Sequence, residues 1–426
     1  MTRIFKSYQI PILLWLTAAL PQFSARTCAA ADHWVTIPVR FFQVSDDNGK
    51  RETAVDVDAL RRQVDFTTKA FEPAHVRFTF DAAHDLEPLR STIVNNMLGT
   101  GDANWPKAKR EADRIAAGCR GKLVVFVRHG PGPQPAGGSF SWFDYNFVAL
   151  AGTDHGYWSL AHETAHYFGL AHPHADPEFK TLKEAEAFFV KRGKHPEIFD
   201  GDGLKDTPPC PGIMALYSGS DRSVTLAGHR FTILRGNVVS YYHYPKPEDD
   251  LAAGTMTPEQ LGRLRWFLAM RLKHGMAMPN NALIANPIEA ASLRVLKTVK
   301  CEVSPQPMDS FFKASWSGKR QLYGNGEMGG QVALELHVPR SGRQRLVAAL
   351  TCAPDYGRLH FWLDGHLLPR AFDGYAPSVI PSGPIELGDF DLRAGPHQFT
   401  VKIAGKDPQS NGHAFGLDCL QLSAIR

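Results

Sequence analysis

Cysteine is scarce in this chain, with six in 426 residues, too sparse and too widely spaced to staple a small scaffold or to form a cysteine zinc site. Long apolar runs are missing after residue 20, so no segment approaches the ~20 residues that a bilayer-spanning helix needs. Neither sign of charge dominates, since 47 Lys and Arg stand against 43 Asp and Glu, and nothing here calls for a nucleic-acid partner. What is present is ordinary globular material: 43% hydrophobic and 21% charged residues, in a chain long enough for two domains.

The first 31 residues stand apart. Arg3 and Lys6 precede an apolar run from Ile10 to Leu20, Pro11 and Pro21 bracket it, and Ala29, Ala30 and Ala31 offer a small-residue cleavage site. Residues 1–31 therefore read as a secretory signal peptide, and the protein as secreted or extracytoplasmic, in the periplasm or at the cell surface. Removing them takes away Arg3, Lys6 and Arg26 and lowers the formal net charge from +4 to +1. Cys28 leaves as well. Export permits disulfides, but the five remaining cysteines are odd in number, so at least one stays unpaired or bridges two chains.

Residues 32–277 read as an α/β (α+β) domain. Trp34–Phe42 has the β-branched and aromatic content of a strand, closed by Asp46-Asp47-Asn48-Gly49. From Val57, the apolar residues Leu60, Val64 and Phe71 recur near helical spacing. Val76–Phe80 alternates as a strand does, Trp105–Ala117 is amphipathic and stops at Gly118, and Lys122–Val127 reads as a buried strand. This order predicts a helix-covered sheet. Gly130–Gly138 is a Gly- and Pro-rich loop, and Ser139–Trp142 and Asn146–Leu150 follow as short strands.

The chemistry concentrates in His162-Glu163-Thr164-Ala165-His166-Tyr167-Phe168-Gly169-Leu170-Ala171-His172. On a helix, His162 and His166 share a face and present two imidazoles to one metal ion, while Glu163 lies one step round. Gly169 lets the chain take the left-handed turn that ends the helix, and His172 becomes a third ligand. Three protein ligands leave zinc an open position for water, whose pKa it lowers to roughly 7, and Glu163 is placed as the base. His155 and His174 lie nearby, and since the spacing already supplies three ligands they read as histidines behind the site or exposed to solvent.

The extended motif resembles that of the metzincin zinc metallopeptidases, and His166–His172 with Asp206-Thr207-Pro208 is most similar to the pappalysin branch. The resemblance implies a metzincin-type catalytic domain with a mixed twisted sheet and a zinc-binding helix. It also implies an exposed edge strand that binds peptide substrate as an added strand, placed here at Gly138, Ser139 and Phe140, where an ordinary hairpin is the competing reading. Asp200, Asp202, Asp206 and Thr207 form either a solvated turn or a calcium site, as pappalysins carry near this segment. Cys210 is placed to staple that loop through a disulfide. Metzincins also have a methionine-bearing turn beneath the metal. Gly236–Tyr242 fits it best, with Val239 at the methionine position and Tyr241 as oxyanion stabiliser or switchable ligand. Met214, followed by Tyr217, is the other candidate.

Ala175–Lys194 reads as a charged, helix-like insertion. Thr257 caps a helix through Arg271, with Leu261, Leu264, Leu268 and Leu272 on one face. Residues 278–287 read as a linker, within the Pro- and Asn-rich stretch from Met276 to Pro287. From Ile288 to residue 426, short alternating runs at 332–338, 345–350, 358–363 and 398–403 predict an all-β jelly-roll or sandwich. Asp355-Tyr356-Gly357, Leu363-Asp364-Gly365, Ala394–His397 and Gly416-Leu417-Asp418 resemble carbohydrate-binding modules attached to secreted enzymes. That resemblance implies a glycan partner, with Trp316, Tyr323, Tyr356 and Trp362 as either stacking platforms or core.

The sequence thus points to a secreted zinc endopeptidase acting on protein or peptide substrates, not membrane-spanning, with calcium as a second candidate cofactor. The alternative is an adhesion or glycan-binding protein whose metzincin-like part is catalytically weak or inactive. Zinc-dependent hydrolysis of a non-peptide bond is a third.

Overall fold

The computed structural model describes residues 34–425 apart from 100, 135–136, 153–155, 243–253 and 310–314. The expected signal peptide, Cys28 and His155 lie outside the described residues.

The first half is built on a parallel sheet. Its strands are β1 (Val35–Ser45), β2 (Val76–Thr79), β3 (Leu86–Arg90), β4 (Leu123–Val127) and β5 (Phe147–Leu150), in the order β2-β1-β4-β5, with β3 also against β1. Every ladder among them is parallel. Successive side chains of β1 point to opposite faces. Ile37, Val39 and Phe41 face one core and Phe42 and Val44 the other. Burial on both faces explains why β4 is a continuous apolar run without alternation.

Helix α1 (Val57–Phe71) starts where the Asp56 carboxylate accepts from the Asp58 and Ala59 N–H groups, and it buries Leu60, Val64 and Phe71 against the first core. Two single-turn helices, α2 (Ala82–Asp85) and α3 (Thr92–Asn95), lead to α4 (Trp105–Ala117), which covers the second core with Trp105, Ala108 and Ala112. Helix α5 (Ser159–Tyr167) is buried along its whole length.

Beyond it, β6 (His174–Phe179) pairs in parallel with β7 (Cys210–Ile213), and α6 (Leu182–Lys191) begins in a Thr181–Glu184 capping box. The 175–194 segment is therefore not helical throughout. Pro177 disfavours helix, and pairing with β7 recruits the first third into a strand. A hairpin of β8 (Ser223–Leu226) and β9 (His229–Thr232) precedes α7 (Pro258–Lys273), whose Thr257 and Gln260 form a second capping box.

Two further expectations need correction. Residues 139–142 do not form a strand; a single antiparallel bridge joins Phe140 to Ala149, the Ser139 hydroxyl accepts from the Ala151 N–H at 3.2 Å, and the Gly138 carbonyl accepts from Arg128. The sheet is consequently parallel, and mixed only through that bridge. Cys119, Cys210, Cys301, Cys352 and Cys419 are all free thiols, so Cys210 does not staple its loop.

The second half is antiparallel. Strands β10 (Ile288–Glu289), β11 (Val295–Pro307), β12 (Arg320–Val338), β13 (Gly342–Cys352), β14 (Gly357–Leu363), β15 (His366–Leu367), β16 (Phe372–Asp373), β17 (Ile380–Leu392), β18 (Gly395–Lys406) and β19 (Phe415–Ala424) connect in the order β15-β14-β18-β12-β19-β13-β17. The long β12 is shared between layers. Its first half pairs with β19 through Leu322–Gly324 and its second with β18 through Gln331–Val338. Leu334, Leu336, Leu346, Leu350, Phe361, Phe399 and Leu417 fill the space between, which makes this a β-sandwich. Asp364 and Gly365 both take positive φ in the β14–β15 turn.

The 278–287 stretch is held against the sandwich: the Asn281 amide donates to the Leu350 carbonyl at 3.0 Å and accepts from the Gly383 N–H at 2.9 Å. Val35–Arg426 forms one compact unit.

Candidate metal centre

Helix α5 places His162 and His166 one turn apart, and the chain beyond it returns His172. Gly169 sits at φ 87° at that reversal, and a Cβ there would overlap the Phe267 ring of α7. The Leu170 N–H closes the turn on the Ala165 carbonyl at 3.0 Å.

The three Nε2 atoms converge, with His162–His166 at 3.1 Å, His162–His172 at 3.2 Å and His166–His172 at 3.0 Å. Tetrahedral ligands ~2.05 Å from zinc stand about 3.3 Å apart, so the spacing matches one face of a zinc coordination shell. The far side of each ring identifies the tautomer. His162 Nδ1 lies 3.0 Å from the Val238 carbonyl and His166 Nδ1 lies 2.7 Å from the Leu170 carbonyl. A carbonyl only accepts, so both Nδ1 atoms carry the proton, and both Nε2 atoms present lone pairs. Burial keeps the imidazoles neutral, pushing His166 down to about 4 and His172 well below its ordinary value. Lone pairs facing each other at 3.1 Å repel unless a cation lies between them. Among the described residues this is the one cluster of three or more His, Cys, Asp or Glu side chains able to hold a metal. The donor set of three neutral imidazoles fits zinc.

The carbonyl that orients His162 is itself held in place. The Val238 N–H donates to Thr255 at 2.9 Å, and Asn237 accepts from the Val239 N–H at 3.3 Å while its own amide donates to Gln260 of the α7 cap at 2.8 Å. Val239 is fully buried, whereas Met214 is 45% exposed, and the turn carrying Val239 meets the site through the Val238 carbonyl. Tyr241 follows it, with its ring 4.4 Å from His172 and 5.5 Å from His162, the latter nearly parallel.

Glu163 is buried beside the ligands. Burial raises its carboxyl to about 8, opposed by a hydrogen bond from the Ser141 backbone. A dication held by the three histidines acts in the same direction as Ser141 and favours the carboxylate. Ser141 lies next to the predicted edge, and the Trp142 ring is 5.4 Å from His166, so these two residues line the site, whereas the Phe140 ring packs against Trp105 in the second core.

The acidic loop is not brought together in this way. Asp206 accepts from the Thr257 hydroxyl at 2.7 Å and the Glu259 N–H at 2.8 Å, tying the loop to the start of α7. Asp202 accepts from Thr207 and Leu204, and Asp200 from Gly203. These carboxylates are used in separate local turns, and with Thr207 they form no shared ligand set.

His174, expected not to ligate, makes an unforeseen stack, and Arg271 escaped the sequence reading altogether. His174 stacks on His172 at 4.8 Å and 11°; it is buried, and neither ring nitrogen has a hydrogen-bond partner among the described residues. Arg271 is fully buried and donates to the carbonyls of Tyr167, Met276, Phe143 and Tyr145. It thereby joins the end of α5 to the loop that precedes β5. Only its position beside a Leu stripe hinted at an inward direction.

No family model matches this sequence, and neither does any curated protein. Solved structures with a likeness to it include a Paenibacillus xanthan lyase (21% identity, 34% of this chain and 14% of that one, TM-score 0.30). A Podospora anserina beta-(1,4)-mannanase matches at 18% identity over 33% of this chain and 28% of that one, with TM-score 0.23. A carbohydrate-binding module from Cellvibrio mixtus lichenase 5A matches at 14% identity over 34% of this chain and 100% of the module, with TM-score 0.23. This chain thus spans only a minor part of the two enzymes. The β-sandwich rests on the strand pairing described above, and any reading of activity rests on the residues of the metal centre.

Proposed function

We propose that this protein is a zinc-dependent endopeptidase of metzincin type, pappalysin-like, acting outside the cytoplasm. The observation that carries this reading is the convergence of His162, His166 and His172 on one point, with two of the three Nε2 lone pairs fixed by carbonyls behind them. Zinc held there would supply Lewis acidity, polarising a substrate carbonyl and acidifying a water. Glu163 takes the proton of the attacking water at its carboxylate and returns it to the nitrogen of the leaving amine. Ser141 keeps that carboxylate in place. In this reading Tyr241, whose ring lies 4.4 Å from that of His172, donates its hydroxyl to the developing oxyanion.

The test is digestion of a complex peptide mixture by the purified protein and its Glu163→Ala variant, with and without a chelator, followed by mass spectrometry of new termini. New termini that require both Glu163 and metal are expected; equal cleavage by the variant would sink the reading.

One set of observations favours a second reading, a glycan-binding protein with weakened catalysis. Val239 stands where the resembled family has methionine, and Trp362 remains partly exposed on the sandwich with the Lys402 ammonium 5.7 Å from its ring. Trp316 and Tyr356, by contrast, are core residues at 2% and 5% exposure. Glycan-array binding without proteolysis supports this second reading.

A further inference from the structure

Away from the metal centre, a cavity of about 770 Å³ opens between the last turns of α7 and the β14–β17 side of the sandwich. Its size lies within the range of small-molecule sites. Helix α7 contributes Trp266, Met270 and Lys273, and the sandwich contributes Arg370, Phe372 and Tyr375. A second cavity of about 410 Å³ shares His274, Pro279 and Pro384 with it, so the cleft continues past the end of the helix.

The charges in this cleft are unbalanced. Its acids are already engaged: Asp373 pairs with Arg358 at 2.7 Å and Glu386 with Arg345 at 3.5 Å. Its cations are not. Neither Lys273 nor Arg370 makes a hydrogen bond or an ion pair among the described residues. Burial and then the nearby Lys273 ammonium hold His274 below its ordinary value, so the cleft's positive charge rests on Lys273 and Arg370.

We propose that this cleft binds an acidic saccharide, one whose sugar rings carry carboxylates. Partly exposed Trp266, Phe372 and Tyr375 offer flat apolar surface for the C–H face of a pyranose ring. The Arg370 guanidinium and Lys273 ammonium meet the carboxylate, and the Glu386 oxygen that is not turned to Arg345 accepts from a sugar hydroxyl. An acidic peptide would use the two cations but not the aromatic wall, and the rigid ring is the better match to both. The site uses no group of the metal centre, and it lies apart from Trp362, so it stands independently of both functional readings above.

Isothermal titration of the full chain with a galacturonic-acid tetrasaccharide and with the neutral galactose tetrasaccharide tests it. The acidic ligand should bind at least about tenfold more tightly than the neutral one. The Lys273→Gln/Arg370→Gln double variant should weaken it about tenfold or more with zinc content and melting temperature unchanged, and Trp266→Ala, which also removes packing on Phe267, should weaken it by a similar factor with zinc content unchanged. Trp362→Ala should leave it unaltered, which separates this site from a glycan surface on the outer sandwich. No heat with the uronate, equal affinity for the neutral sugar, unchanged affinity in the double variant, or binding of a glutamate-rich peptide in place of the uronate would each overturn the proposal.

Discussion

A glycine, not a charged residue, sets the geometry of the third ligand. Gly169 turns the chain at φ 87°, and the Phe267 ring of α7 occupies the space where a side chain would begin. Gly169→Ala combines left-handed strain with a clash that the packed core cannot relieve cheaply, and we expect a loss of about 3 kcal/mol or more. Urea unfolding of the metal-free variant measures this directly. Zinc affinity should fall with it, because His172 would no longer reach the other two imidazoles. Asp418 provides a separate test at the same scale. It is fully buried in β19, and burial pushes its carboxyl up to about 7. The folded chain therefore holds a proton that the unfolded chain, with a pKa of ~3.9, has already lost. Its contribution to stability is complete below about pH 4 and is lost as the pH rises through about 7. Asp418→Asn retains an acceptor for the Ser317 N–H, 3.1 Å away in the parent. The variant should exceed the parent by on the order of 3 kcal/mol at pH 8, and the gap should close near pH 4.

Among elements, α7 has the widest reach. Its N-terminal cap fixes Asn237 and through it the turn whose carbonyl orients His162; its middle fills the reversal at Gly169; its last turn inserts Arg271. Arg271→Leu would take its donor from the carbonyls of Tyr167, Phe143 and Tyr145, while that of Met276 keeps the Tyr167 hydroxyl, and such groups cost about 1–3 kcal/mol each when buried unsatisfied. We expect a drop in stability of about 4 kcal/mol or more, and Arg271→Lys should recover little of it because an ammonium lacks the planar fork. Thermal melting of the two variants side by side checks this.

The same helix shows how far sequence reading reached. Its start was legible because a capping box is local chemistry, and its Leu stripe predicted a buried face. Yet Leu272 is 43% exposed while Arg271 is buried, since three of the four carbonyls that accept its hydrogen bonds come from residues more than a hundred positions away. Likewise His162, Glu163, His166 and His172 were legible as one spacing, whereas the Val238 carbonyl and the His174 stack depend on contacts that no local pattern encodes. Residues 174–179 failed for the same reason: their strand exists through pairing with Cys210–Ile213. The acidic loop misled in the opposite sense. Carboxylates close in sequence look like one ligand set, but each turned to a different backbone partner.

For the whole molecule, a metal that binds only the folded chain adds stability by mass action. Zinc at about 1,000 times its dissociation constant should add about 4 kcal/mol and raise the melting temperature by several degrees, and a chelator should reverse it. The His166→Ala variant should show no such response. Since Val35–Arg426 forms one compact unit, the shift should appear in a single transition that includes the sandwich.

The most direct test of the metal centre is X-ray absorption at the zinc edge on the purified, zinc-loaded chain. Three imidazole nitrogens and one oxygen at about 2.0–2.1 Å are predicted, with the signal lost in a triple His162→Ala/His166→Ala/His172→Ala variant. A shell containing sulfur, a fourth imidazole, or zinc that stays bound in that variant would contradict a centre built on these three histidines.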